Sequence, residues 1–97
     1  MASPEYYRGG SSLRVRDRDV RIDPDTALLK TDRGLSVRDR PDGLESFGGA
    51  YRVANLPPEL HVVQIGRDPH HFEIAPARPM TRSEYETALA KISLVPA

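Results

Sequence analysis

In the stretch His70-His71-Phe72-Glu73-Ile74-Ala75-Pro76-Ala77-Arg78-Pro79-Met80, an imidazole and a carboxylate stand two residues apart. On a strand, side chains alternate, so Phe72 and Ile74 point to one face and His71 and Glu73 to the other. The apolar pair is expected to face a core. The polar pair is expected to sit about 6.7 Å apart, two residues at the usual strand rise, a separation better suited to gripping a small ligand than to a direct His–Glu hydrogen bond. Pro76 and Pro79 are expected to stop the strand, because proline donates no ladder hydrogen bond.

Two other segments carry usable chemistry. In Tyr7-Arg8-Gly9-Gly10, an arginine at a strand end precedes two glycines, an arrangement that lets backbone and guanidinium approach a phosphate together. An ordinary strand end with a glycine-rich turn accounts for the same residues. In Gly34-Leu35-Ser36-Val37, a strand would put Ser36 where its hydroxyl could hold a neighbouring catalytic side chain. A solvent-facing serine on a half-buried strand is the plainer alternative. Adjacent histidines on a strand face opposite ways, and with His61 they match no zinc spacing, so no metal site is expected. His71, Glu73 and Arg78 together could instead serve a metal-independent ribonuclease as acid, base and phosphate clamp.

These residues need a small scaffold. The chain has 97 residues, enough for one domain, with 38% hydrophobic residues and no tryptophan, so one sheet with a helix against it is about what the core can support. Residues 1–5 read as a flexible tail and 6–97 as a single domain. Fourteen acidic residues balance fourteen basic ones, which gives no strong nucleic-acid signal. Twelve of the basic residues are arginines, and their spacing marks no more than one as special. The absence of cysteine excludes disulfides, thiolate catalysis and cysteine-based zinc sites. There is no apolar N-terminal run and no stretch approaching a membrane span, so the chain reads as soluble, without a signal peptide, and either cytoplasmic or delivered by a secretion system into a target cell.

Short strands are expected near Tyr6–Arg8, Val20–Ile22 paired with Ala27–Lys30, Leu35–Arg38, Tyr51–Ala54, Leu60–Ile65 as the central strand, and 71–75. The last element is expected to be a helix. Thr81 and Glu84 form a capping-box pattern, and Tyr85, Ala88, Leu89 and Ile92 fall on one face. Several short strands and one helix make α+β the expected class.

Taken in order, Tyr7-Arg8-Gly9-Gly10, Gly34-Leu35-Ser36-Val37, Leu56-Pro57-Pro58-Glu59-Leu60, His71-Phe72-Glu73-Ile74 and Pro76-Ala77-Arg78-Pro79-Met80 resemble ADP-ribosyltransferase-like bacterial toxin domains. Relatives of that family include a pseudomonad type VI secretion effector and C-terminal domains of Rhs-type polymorphic toxins. The resemblance spans roughly residues 6 to 92. It implies a small split sheet, antiparallel or mixed, that takes NAD as substrate and cleaves the nicotinamide–ribose bond, by ADP-ribosyl transfer or hydrolysis. It also implies dinucleotide contacts at Tyr7, Arg8, Gly9, Ser36 and His71, and catalytic roles for His71, Glu73 and Ser36. The implied partners are an acceptor and a cognate antitoxin or immunity protein. A non-catalytic binding module remains compatible with the even charge and thin core.

Overall fold

The computed structural model describes residues 4–97. Of the expected tail at 1–5, residues 1–3 lie outside the described residues. Six strands form one sheet: β1 (Tyr7–Gly9), β2 (Leu35–Arg38), β3 (Ala50–Val53), β4 (Leu60–Gln64), β5 (His71–Pro76) and β6 (Leu94–Pro96). Their order is β4-β5-β2-β1-β3-β6, and every pairing is antiparallel. One helix, α1 (Arg82–Leu89), follows β5. The class is therefore α+β.

Alternation decides which face each strand buries. Leu35 and Val37 pair across the sheet with Ile74 and Phe72, and Val62 on β4 extends the same row. Helix α1 adds Tyr85, Ala88 and Leu89 to the core, and Ile92 joins them just past the helix end. The helix starts where the capping box places it. The Thr81 hydroxyl accepts from the Glu84 N–H at 3.1 Å, and the Glu84 carboxylate accepts from the Thr81 N–H at 3.0 Å. Two of the N-terminal orphan donors are satisfied, and the exchange holds the Glu84 carboxyl below the usual range.

Four expectations change. The apolar run at 60–65 makes β4, an edge strand rather than a central one. The helix is not the last element, because β6 follows and pairs with β3; Pro96 is tolerated there because β6 is an edge. The hairpin expected from Val20–Ile22 and Ala27–Lys30 reduces to the bridge Ile22↔Leu29, with Leu29 also bridging Met80. The Leu29 N–H is given to the Met80 carbonyl, and the turn between the two segments passes Ala27 through φ 62°. Pro76 is not excluded from β5 but is its last residue, opposite Leu60.

The sheet has a seam. Strand β1 meets β3 at three register positions but meets β2 only at Tyr7↔Arg38. Beyond that pair the ladder between the two strands is not continued.

Candidate functional site

Arg8 fills the seam. Its Nε donates to the Ser12 carbonyl at 2.9 Å and its Nη1 to the Ser36 carbonyl at 2.8 Å. The guanidinium thus takes the place of ladder hydrogen bonds that β1 and β2 do not make. Burial pushes its pKa below the ordinary arginine value, opposed by the nearby Asp19 carboxylate. It stays charged, since an arginine has a wide margin above neutral pH. The two glycines that follow are required by a close approach. A Cβ at Gly9 would come 2.8 Å from the Phe47 Cβ, and one at Gly10, which has φ +80°, 2.7 Å from the Phe47 carbonyl oxygen. The turn Glu45–Phe47 therefore lies directly on the end of β1 and leaves the Phe47 ring 65% exposed.

Strands β2 and β5 position the other candidates. Directly opposed residues in an antiparallel pair share a face, so the register Ser36↔Glu73 and Arg38↔His71 puts all four on one side of the sheet. The expected gap between His71 and Glu73 is closed: His71 Nε2 lies 3.1 Å from Glu73 Oε2. Strand rise sets the spacing of the backbone, but two long side chains on one face can lean together across it. Glu73 is also held from behind, because its Oε1 accepts the Gly34 N–H at 2.9 Å and Arg33 stands 3.8 Å from Oε2. A carboxylate can only accept, so Nε2 is the protonated nitrogen when His71 is neutral. His71 Nδ1 has no hydrogen-bond partner among the described residues.

This strand pair is locked by Tyr85. Its hydroxyl donates to the Ile74 carbonyl at 2.6 Å and accepts the Leu35 N–H at 3.1 Å, bridging two backbone groups that face each other across β2 and β5. Burial pushes the Tyr85 phenol up to about 12. Gly34 must lack a side chain here, since a Cβ would fall 1.7 Å from the Ile74 carbonyl oxygen. Arg38 is anchored by Asp68 at 3.0 Å. The His70 N–H, and then Arg38, keep the Asp68 carboxyl below its ordinary range.

A cleft of about 790 Å³ opens at the seam, and Tyr7, Arg8, Gly9, Ser36 and His71 all line it. The Ser36 hydroxyl is exposed and has no hydrogen-bond partner among the described residues. The Tyr7 hydroxyl donates to Glu5 at 2.9 Å, which raises its pKa. Glu73 is only 7% exposed and does not line the cleft; it reaches the cleft through His71. Arg78 is not brought to the cleft either, and stands instead 3.6 Å from Glu84 at the start of α1. His61 and His70 are committed elsewhere, His61 to the Thr31 carbonyl and His70 to Asp39.

The structure adds cleft residues that sequence reasoning passed over. Arg14, Arg16 and Arg18 line the same space, with Phe47 beside them. The signal was present as an arginine at every second position from 14 to 18, which on an extended segment places Arg14 and Arg16 on one side. An arginine-rich cleft with an imidazole held by a buried carboxylate is suited to an anionic ligand and to proton transfer. No protein-family model, curated protein or solved structure matches this chain.

Proposed function

We propose that the seam cleft binds NAD and that the domain acts as an NAD-consuming toxin of ADP-ribosyltransferase-like fold, cleaving the nicotinamide–ribose bond. One observation carries this reading. The residues that the family resemblance implies for dinucleotide contact come from three chain segments, and they line one cleft of nucleotide-binding size where β1 and β2 pair at a single position. In this reading Arg8 holds the diphosphate, Ser36 hydrogen-bonds the ribose and His71 stands beside the scissile bond with Nδ1 free to take a proton.

The chemistry follows from the charges. The N-glycosidic bond breaks with its electron pair going to the pyridinium nitrogen, releasing neutral nicotinamide and leaving positive charge on the ribose. Water or an acceptor then attacks the ribose carbon and gives its proton to His71. Glu73, bonded to Nε2, fixes the tautomer that leaves Nδ1 able to accept and stabilises the imidazolium that results. Glu73 is thus a positioning residue, and it need not touch the sugar. A ribonuclease using His71, Glu73 and Arg78 is less well supported, because Arg78 lies at the helix cap rather than beside His71. A toxin of this kind requires an immunity protein in the producing cell, and the cleft mouth is the simplest surface to plug.

The test is incubation of the purified protein with NAD and chromatographic detection of nicotinamide, with calorimetry of NAD binding alongside. Arg8→Ala is expected to weaken binding about tenfold or more, the loss of one charge-assisted contact. Absence of nicotinamide release, with or without candidate acceptors, would overturn the activity. Unchanged release by His71→Ala would overturn the site.

A further inference from the structure

The segment carrying Arg14, Arg16 and Arg18 does more than close the cleft. Leu13 and Val15 point inward, Val15 being buried, while Arg14, Arg16 and Arg18 are exposed along the cleft wall. The segment is pinned from below at several points. Arg8 holds the Ser12 carbonyl, and Arg82 holds the Val15 carbonyl at 3.0 Å and pairs with Asp17. The three arginine side chains make no ion pair among the described residues, whereas Arg33, Arg38, Arg78 and Arg82 each have an acidic neighbour. The single acid lining the cleft, Asp19, is engaged by the Arg16 N–H at 2.8 Å.

The charges can be counted. Five arginines and one aspartate line the cleft, which leaves a surplus of four positive charges, or three once Asp68 is set against Arg38. A diphosphate supplies only two negative charges, and Arg8 already stands at the seam to meet it. We propose that Arg14, Arg16 and Arg18 form a second anion subsite, and that the preferred substrate is the dinucleotide bearing an additional ribose phosphate, NADP rather than NAD. This inference rests on the dinucleotide reading above and specifies its substrate. A phosphomonoester brings close to two further negative charges at neutral pH, which matches the surplus, and arginine forks pair with its oxygens bidentately.

Calorimetry on the full chain with NAD and with NADP tests it. NADP is expected to bind about tenfold or more tightly, the equivalent of one added charge-assisted hydrogen bond. In the triple variant R14Q/R16Q/R18Q that ratio is expected to fall toward one. The three side chains are exposed, and the thermal midpoint of the variant checks that the fold is retained. Equal affinities in the native chain would overturn the second subsite and leave the NAD reading standing. A preference for NADP that survives the triple substitution would overturn the assignment to these arginines. Binding of neither dinucleotide would overturn the NAD reading itself, and the substrate preference with it.

Discussion

Replacing Glu73 by glutamine separates its structural role from its chemical one. The buried carboxylate accepts the Gly34 N–H at 2.9 Å and meets His71 Nε2 at 3.1 Å. A glutamine of the same length keeps the oxygen that Gly34 needs. It then presents an amide N–H to His71 where the carboxylate oxygen was, so Nε2 must accept and the ring proton moves to Nδ1. The stability cost is small. A neutral acceptor is about half as strong as a charged one, so the Gly34 bond loses about 1 kcal/mol, and the partly exposed Arg33 contact adds at most about 1 kcal/mol. A total of about 1–2 kcal/mol lowers the melting temperature by about 4–15 °C in a domain of this size. Glu73→Ala, by contrast, strands a buried N–H as well and costs about 3–4 kcal/mol. On the proposed mechanism the catalytic cost is expected to be large, because a His71 protonated at Nδ1 cannot accept a proton there, and loss of a general base typically slows turnover by about 10²–10⁴. Nitrogen-15 spectra of the His71 ring report the tautomer, and nicotinamide release reports turnover. A reversed tautomer with undiminished release would refute the role given to His71. Equal destabilisation by glutamine and alanine would refute the account of the Gly34 bond.

Two further substitutions probe how β2 and β5 are held. Tyr85→Phe removes the hydroxyl that bridges Leu35 N–H to the Ile74 carbonyl and is expected to cost about 2–4 kcal/mol in denaturant titrations. Because burial raises the Tyr85 phenol to about 12 from 10, the folded state holds its proton more tightly than the unfolded state. The native chain therefore keeps this contribution below pH 10 and loses about 2–3 kcal/mol as pH rises from 10 to 12, a loss that Tyr85→Phe should not show. Without tryptophan in the chain, ultraviolet absorbance is expected to show the Tyr85 phenol ionising late, a step that Tyr85→Phe removes. Gly34→Ala places a methyl group against the Ile74 carbonyl and is expected to cost about 3 kcal/mol or more, with the strand pair forced apart; a melting temperature near the native value would refute the close approach.

How far the sequence reaches depends on whether a feature is local. Thr81 and Glu84 cap α1 as their three-residue spacing requires, since both bonds close within one turn. The alternation Leu35-Ser36-Val37-Arg38 likewise fixes which side chains enter the core. Sheet order is not local. The run from Leu60 is the most apolar in the chain, yet it lies at an edge, while β2, carrying Ser36 and Arg38, is interior. Hydropathy records whether the faces of a strand are covered and is silent on whether its two edges are paired. The His71–Glu73 contact was hidden for a related reason: the anchor for Glu73 is the Gly34 N–H, 39 residues away. The arginine wall depends on where the segment after Gly10 lands, which Arg8, Val15 and Arg82 decide together through tertiary contacts.

The seam raises a physical question of its own, because the residue proposed to hold the ligand also ties β1 to β2 beyond the Tyr7↔Arg38 pair. A guanidinium that had to release its carbonyls to take a phosphate would trade sheet integrity for binding. Arginine carries five N–H donors, and Arg8 commits Nε and one position on Nη1 to Ser12 and Ser36. Three donors remain, and a phosphate oxygen pair needs two. Arg8 can therefore hold the strands and an anion at the same time. A lysine at this position would have no rigid fork with which to divide its donors between two carbonyls and a phosphate. The second glycine, Gly10, fits the same logic: its positive φ turns the chain just past the end of β1, two residues after Arg8, so the segment can fold back to offer the Ser12 carbonyl to the guanidinium.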